Sequence, residues 1–452
     1  MNIIIAGGGK VGATLVRQLS AEGHDLTLID LNKSILEGTI ETYDVMATEG
    51  NCASMPTLLR AGVKEAELLI AVTDQDEVNL LCCMTAHNLN PKLHTIARIR
   101  DPEYTEQIFQ MRQSFGLSLT VNPEKQAAVE IERLLKYPGF LRRDTFANGR
   151  TEIVELRIDE GSSLCNTALS DIYRTLKTRV LICAVLRGGT AHAPKGDFVL
   201  RSGDRIFVTA PTHSLTQLLK NLGIITRRVR RVLLCGGDRI CFYLAQLLEK
   251  DGIAVQIIEN DPQRCRELAT LLPEASVVYG DCCDRTELEN EGIADCDAVV
   301  SLTGIDEMNM IISLYASSRE VRQVITKLGR QENIQLANSI SIGSVICSRE
   351  LCSNNIVRYV RAMQNQHGAA ISVHSIADGQ AEAVEFTVTA DTPNCGKPLK
   401  EIRLKSGVLI ASIAHGSAAQ VPGGDSRFVP GDTLVVVTGD RGSLKTLNDI
   451  FA

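Results

Sequence analysis

Six residues near the amino terminus, Gly7-Gly8-Gly9-Lys10-Val11-Gly12, fit the spacing G-x-G-x-x-G. Here the turn follows a strand-like run, Asn2–Ala6, and opens a helical stretch, Lys10–Ala21. Asp30 ends the next strand, 18 residues after Gly12. That context is what a dinucleotide fingerprint requires. Gly7 permits the tight turn, Gly9 lets the backbone approach a pyrophosphate, and Gly12 lets the helix pack closely on the strand. The helix N-terminus then offers unpaired N–H groups and a positive dipole end to the phosphates. Asp30 can accept hydrogen bonds from ribose hydroxyls and would repel a 2′-phosphate, favouring NAD over NADP. Gly50 and Asn51, Thr73 and Asp74, and Arg98 with Arg100 fall at the ends of later strands, where such sheets bind ligands. The arginines can meet phosphates bidentately or form ordinary ion pairs.

The same pattern returns about 230 residues later. Gly7-Gly8 matches Gly236-Gly237 and Asp30 matches Glu259, both at an offset of 229. Gly50 matches Gly280, and AVTDQDEVN at 71–79 matches SLTGIDEMN at 301–309, both at 230. IVEL at 153–156 matches AVEF at 383–386, and SGD at 202–204 matches PGD at 430–432. The chain is therefore two copies of one unit. The second fingerprint is degraded: Asp238 stands where the second glycine should be, and Cys241 replaces the third. The aspartate adds bulk and a charge like that of a phosphate, so weak binding, another ligand or none is expected there. Gly236, Gly237, Glu259 and Thr303 remain as its candidate contacts.

The elements that must position these groups follow from periodicity. Strands Asn2–Ala6, Leu26–Ile29, Val45–Ala47, Leu68–Val72 and His94–Ile99 alternate with helices Lys10–Ala21, Ser34–Thr42, Ser54–Ala61 and Glu77–Asn88. This is the βαβ signature of a doubly wound parallel sheet. A strand at Leu117–Val121 leads into Asn122-Pro123-Glu124, a helix start. Ala128, Ile131, Leu134 and Leu135 then recur at helical spacing, giving an amphipathic helix that needs a partner surface. From about 150 the texture changes to short β-runs (Glu152–Ile158, Val180–Leu186, Arg205–Thr209) with one helix near Ser170–Thr175. The expected fold is α/β: two tandem Rossmann-like parallel-sheet domains (1–122 and 232–348), each followed by a small α+β module (150–225 and 381–452). Helix-and-linker segments (123–149 and 349–380) join sheet domain to module. A basic linker, 226–231, carries Arg227, Arg228, Arg230 and Arg231.

Composition excludes several classes. The 452 residues are 44% hydrophobic and 22% charged, an ordinary globular mix, and the net charge of −7 leaves no overall basic footprint for nucleic acid. No apolar run approaches the 18 residues a membrane span needs, and no signal peptide is read at the start. The fourteen cysteines include no C-x-x-C pair and read as small buried hydrophobes in a cytoplasmic protein; no metal site is expected. Tyr173-x-x-x-Lys177 has a dehydrogenase spacing but lies in the small module, away from the sheet. No substrate domain with converging acid–base residues and no Walker A lysine follows, so no catalytic residue is assigned.

Tandem G-x-G-x-x-G sheet domains carrying AVTDQDEVN and ARIRDPEY, each with a small RGG…P-x-GD…GD module, resemble the TrkA family over essentially the whole chain. Its members are peripheral regulatory subunits of bacterial and archaeal Trk potassium-uptake systems, built from RCK (TrkA-N) and TrkA-C domains. The resemblance implies a homo-oligomeric ring, a dimer or tetramer of tandem units, beneath a membrane channel subunit, with NAD(H) and ATP or ADP bound at the sheet domains. Gly7, Gly9, Gly12, Asp30, Asn51, Thr73 and Arg98 match the family's site by position. An NAD-dependent oxidoreductase stays open as the alternative. A redox-sensing transcription factor is disfavoured by the acidic charge and the lack of a helix-turn-helix.

Overall fold

A computed structural model describes residues 1–136, 140–176, 180–222, 229–340, 342–363, 370–416, 418–439, 444 and 446–452. Arg227, Arg228 and Lys177 lie outside the described residues. The chain forms two compact units, Met1–Ala128 with Cys347–Tyr359, and Val129–Ile346 with Val360–Ala452. No helix among the described residues is long and apolar enough to cross a membrane.

The first unit is built on β1 (Asn2–Ala6), α1 (Lys10–Ala21), β2 (Asp25–Asp30), α2 (Lys33–Thr42), β3 (Met46–Glu49), α3 (Met55–Arg60), β4 (Leu68–Ala71), α4 (Asp76–Leu89), β5 (His94–Arg98), α5 (Pro102–Met111), β6 (Leu119–Val121) and the start of α6 (Pro123–Lys136). The strands lie in the order β3-β2-β1-β4-β5-β6 and all pair in parallel. Ile3, Ile4, Ile5 and Leu68 to Ala71 are buried. Such unbroken apolar strands require helices on both faces of the sheet. Helix α1 supplies one cover through Val11, Leu15, Val16 and Leu19, spaced to share a face. The order in which strands are added reverses between β1 and β4, so the crevice at their carboxyl ends is the topological switch point.

Two local readings change. The third strand begins one residue later than its expected start and runs to Glu49. Helix α5 had no counterpart in the periodicity, although Asp101-Pro102-Glu103 carries the start signal seen at 122–124. Asp101 caps α5 by accepting from the Glu103 N–H at 2.8 Å.

The second unit opens on the rest of α6 and continues through β7 (Arg142–Phe146), β8 (Thr151–Arg157), α7 (Ile172–Leu176), β9 (Leu181–Arg187), β10 (Thr190–His192), β11 (Arg205–Pro211) and α8 (Thr212–Asn221). Its parallel sheet is formed by β12 (Arg231–Cys235), α9 (Arg239–Lys250), β13 (Ala254–Glu259), α10 (Pro262–Leu271), β14 (Ser276–Tyr279), α11 (Arg285–Asn290), β15 (Ala298–Ser301), α12 (Asp306–Ser318), β16 (Gln323–Lys327), α13 (Gln331–Ile340) and β17 (Ser344–Ile346). Helix α14 (Ser348–Met363), which up to Tyr359 belongs to the first unit, precedes β18 (Ala370–Ile376), β19 (Ala381–Thr387), β20 (Val408–His415), β21 (Ala418–Gln420) and β22 (Thr433–Thr438). The parallel sheet repeats the first order as β14-β13-β12-β15-β16-β17. The modules are antiparallel sheets, β10-β9-β11-β8-β7 and β18-β19-β22-β20-β21. Strands β7 and β18 thus fall in segments read as linkers, where no alternating pattern marks them.

The two antiparallel sheets share one core, in which Phe146, Ile153 and Phe207 of one meet Ile376, Ala383 and Val437 of the other. Polar contacts tie the same junction. Thr151 and Ser412 hydroxyls meet at 2.8 Å, the Ala147 N–H donates to Glu385 at 3.1 Å, and Asp144 pairs with His374 at 3.0 Å. Burial works against the Asp144 charge, but Arg142 and His374 outweigh it and draw its pKa down to about 2. Helix α6 packs elsewhere, against the second parallel sheet: Ile131, Leu134 and Leu135 are buried, and Gln323 Nε2 at the start of β16 donates to the Leu134 carbonyl at 2.7 Å. On the same helix, burial pushes Glu130 up to about 7.

Candidate nucleotide site and its degenerate counterpart

The first glycine turn is shaped by two close approaches. Gly7 has φ +103°, and a Cβ there would lie 2.9 Å from the Thr73 nitrogen. A Cβ on Gly12 would lie 1.9 Å from the Gly7 carbonyl oxygen, so α1 packs against the turn only because that side chain is missing. Around Gly9 the situation is opposite: a Cβ would meet nothing within 4 Å. The space over Gly9 is the open mouth of α1, and Gly9 has no side chain with which to cap that helix. Lys10 is exposed beside it, while Val11 turns into the core.

Asp30 is held in place by the turn it faces. Its Oδ2 accepts from the Gly8 N–H at 2.6 Å and its Oδ1 from the Asn32 N–H at 2.8 Å. An ionised carboxylate has about four lone-pair sites, so both oxygens retain capacity for ligand hydroxyls. The Gly50 N–H donates to the Asp30 carbonyl at 3.0 Å, and Asn51 turns its side chain back to accept from the Ala53 N–H at 2.9 Å.

Across the switch point, Thr73 is fixed by a residue that the motif reading overlooked. Buried Asn79 accepts from the Thr73 N–H at 2.8 Å and from its hydroxyl at 2.7 Å. It also donates to the carbonyls of Thr73, at 3.1 Å, and Arg98, at 2.9 Å. One amide thereby staples the end of β4 to the end of β5. Arg98 is 7% exposed, and its guanidinium donates to the Thr73 carbonyl at 2.5 Å and to Asp74 at 2.9 Å. Its Nε is buried without a hydrogen-bond partner among the described residues. The backbone N–H of Arg100 donates to Asp76 at 2.7 Å, and its side chain donates to the Asp74 carbonyl, in the same loop after β4 that Arg98 holds. The crevice therefore gathers Gly7 to Gly9, Asp30, Thr73 and Arg98, with Arg100 at its edge on Asp74. Both Asp76 and Asn79 lie in the repeated D-x-x-N of 71–79 and 301–309, a signal that was available in the sequence.

The second turn repeats the frame with a different filling. Gly236 has φ +105°, Glu259 accepts from the Gly237 N–H at 2.5 Å and the Asp261 N–H at 2.8 Å, and Asn309 holds Thr303 as Asn79 holds Thr73. At the Gly9 position stands Asp238, whose carboxylate accepts from the Cys241 N–H at 3.0 Å and so caps α9. Its other oxygen meets Lys327 Nζ at 2.7 Å, and Lys327 also donates to the Leu302 carbonyl at 3.0 Å. Lys327 ends β16 as Arg98 ends β5. Arg264 closes the other side by donating to the Gly237 carbonyl at 2.7 Å. The Asp238 charge is paired with Lys327, so the position is filled by the chain itself. Lys327 escaped sequence reasoning because it lies 89 residues from Asp238.

Of the remaining candidates, Tyr173 lies on α7 with 67% exposure, and its proposed partner Lys177 is outside the described residues. All fourteen cysteines are free thiols. Among the described residues no group of three or more metal-ligating side chains comes together.

Comparison with known proteins places this geometry in context. The TrkA-N domain matches residues 3–123 and 232–348, and the TrkA-C domain matches 153–223 and 383–452. The chain is 33% identical to a Trk system potassium uptake protein TrkA homolog of Archaeoglobus fulgidus, over 96% of this chain and 97% of that protein. It is 30% identical to Trk system potassium uptake protein TrkA of Halomonas elongata, over 100% and 98% of the two chains. Among solved structures, the GsuK RCK domain superposes with a TM-score of 0.63 at 17% identity, covering 96% of this chain and 92% of that one. The GsuK channel bound to NAD superposes with a TM-score of 0.62 at 18% identity, covering 97% and 76%. These structural likenesses establish the fold.

Proposed function

We infer from one premise, that this chain belongs to the TrkA family of tandem TrkA-N and TrkA-C domains, that it is the nucleotide-binding regulatory subunit of a Trk-type potassium-uptake system. It would act at the cytoplasmic face of the membrane, as a homo-oligomeric ring against a channel-forming subunit. The ligand is NAD(H) or an adenine nucleotide, bound in the first sheet domain. The observation that carries this reading is the crevice itself: an uncapped helix mouth over Gly9, the Asp30 carboxylate and the Arg98 guanidinium face one switch point. An amide-lined helix N-terminus suits a phosphate, and a carboxylate at the next strand end suits ribose hydroxyls.

The groups gathered there bind and orient. Regulation follows if the ligand favours one arrangement of the ring over another, since a ligand shifts an equilibrium only by its differential affinity. A coupling of about 1–3 kcal/mol per site is typical of such systems. No observation favours the dehydrogenase alternative.

The test is functional and quantitative together. Titration calorimetry of the full chain should give one nucleotide per chain. Gly9→Asp should remove it, because the new carboxylate would occupy the helix mouth that the phosphate needs. Potassium uptake in cells lacking the gene should be restored by the native chain and should lose its nucleotide control with Gly9→Asp. Uptake independent of the chain would reject the assignment.

A further inference from the structure

The helix mouth that the first turn leaves open is filled by the chain itself in the second. The backbone does not differ: Gly9 has φ −63° and ψ −167°, and Asp238 has φ −68° and ψ −176°. What differs is that a carboxylate projects from this point into the mouth of α9. There it receives the Cys241 N–H at 3.0 Å and the Lys327 ammonium at 2.7 Å. A helix N-terminal N–H and a strand-end cation are also the groups that bind a nucleotide phosphate in such a fold.

We propose that Asp238 is a tethered substitute for a ligand phosphate, occupying a functional phosphate seat of which Lys327 is the cation. The inference rests on reading the first crevice as a nucleotide site and extends it to the second. The second sheet domain is then a nucleotide site that carries its own anion, and Asp238 with Lys327 decides that it refuses phosphates. Glu259 remains in the ribose-accepting position, held by the Gly237 and Asp261 N–H groups as Asp30 is held by those of Gly8 and Asn32. Only the phosphate part of the site has been replaced. Cys241 makes this seat slightly different from the first: it carries a side chain where a Cβ on Gly12 would strike the Gly7 carbonyl.

The experiment uses the full chain with its first site emptied by Gly9→Asp, and ADP as the calorimetric probe. Gly9→Asp alone should bind no ADP. Gly9→Asp with Asp238→Gly should bind one ADP per chain, and adding Lys327→Met should weaken that binding about tenfold or more, the worth of one charge-assisted bond. Asp238→Ser is the safeguard for folding, because serine also caps a helix while being small and neutral; it too should admit ADP. If neither Asp238 variant binds ADP while each melts like the native chain, the seat is not a phosphate site and the proposal fails. If ADP binds but Lys327→Met leaves its affinity unchanged, the assigned cation is wrong and the proposal fails equally. A different outcome strikes the first-site reading alone: ADP still bound by Gly9→Asp, with a second equivalent appearing on removal of Asp238.

Discussion

The two glycine turns share a frame but solve the helix N-terminus differently. In the first, the N–H groups of α1 open onto unfilled space over Gly9. In the second, Asp238, Lys327 and Arg264 satisfy the turn from within the chain. The carboxylates that anchor the turns, Asp30 and Glu259, and the amides that staple the adjacent strands, Asn79 and Asn309, are nevertheless equivalent. The lesson is that duplication preserved the scaffold of a binding site in both copies, while one residue type at one position decided whether an external anion is needed. A helix N-terminus without a side-chain cap leaves its first N–H groups to solvent or a ligand. In the second copy the internal carboxylate takes that place.

The largest effect should come from filling the helix–turn contact. Gly12→Ala should destabilise the first sheet domain by about 3 kcal/mol or more and abolish nucleotide binding, because its Cβ would lie 1.9 Å from the Gly7 oxygen. Cys241→Ala in the second copy should cost far less, since a side chain is already housed there. Differential scanning calorimetry of both variants measures this; equal losses would mean that the turns are packed alike.

The stapling amides sharpen the comparison from the other side. Asn79→Ala and Asn309→Ala should each cost about 2–4 kcal/mol, through buried backbone groups left without partners. The two costs should agree, because the hydrogen-bond sets match. Only Asn79→Ala should also lower nucleotide affinity in titration. A markedly unequal pair of unfolding energies would show that one staple is already strained.

Asp30→Ala should weaken nucleotide binding roughly tenfold to a hundredfold, while Glu259→Ala should leave the stoichiometry at one per chain. An effect of Glu259→Ala on binding would mean that the second crevice is occupied in the native chain.

A pH response enters through groups that lie outside the turns. Glu130 on α6 is pushed up to about 7 by burial, from an ordinary value of 4.5. Its unfolded form ionises first as pH rises, so the folded state loses stability from about pH 4.5 and the loss is complete above about pH 7. Glu130→Gln should remove that loss, giving a stability advantage over the native chain that grows through this window and then levels off. Asp144 acts with opposite sign: its lowered pKa stabilises the fold above about 3.8, and that stability disappears as pH falls toward 2. Thermal unfolding between pH 3 and 8 would show both; a flat difference for Glu130→Gln would place the pH response elsewhere.

Local and periodic information determined much of this protein. The parallel sheets were legible because strands covered on both faces must be apolar throughout, as Ile3 to Ile5 and Leu68 to Leu69 are. The first crevice was legible because its residues sit at fixed offsets from strand ends that the glycine turn itself marks. The doubling was legible because the offset between copies barely drifts. Tertiary structure decided what depends on residues far apart in the chain. The pairing of Asp238 with Lys327, across 89 residues, converts an apparent defect into a filled seat. Arg98 and Arg100 both hold the loop after β4, Arg98 through the Thr73 carbonyl and the Asp74 carboxylate and Arg100 through the Asp74 carbonyl, a convergence that spacing alone does not show. Strands β7 and β18 have weak patterns because the sheets of the two modules pack on each other, burying Phe146 and Ile376 in one core. A side chain's partner depends on which strand ends the fold brings together, and no local sequence window contains both members of such a pair.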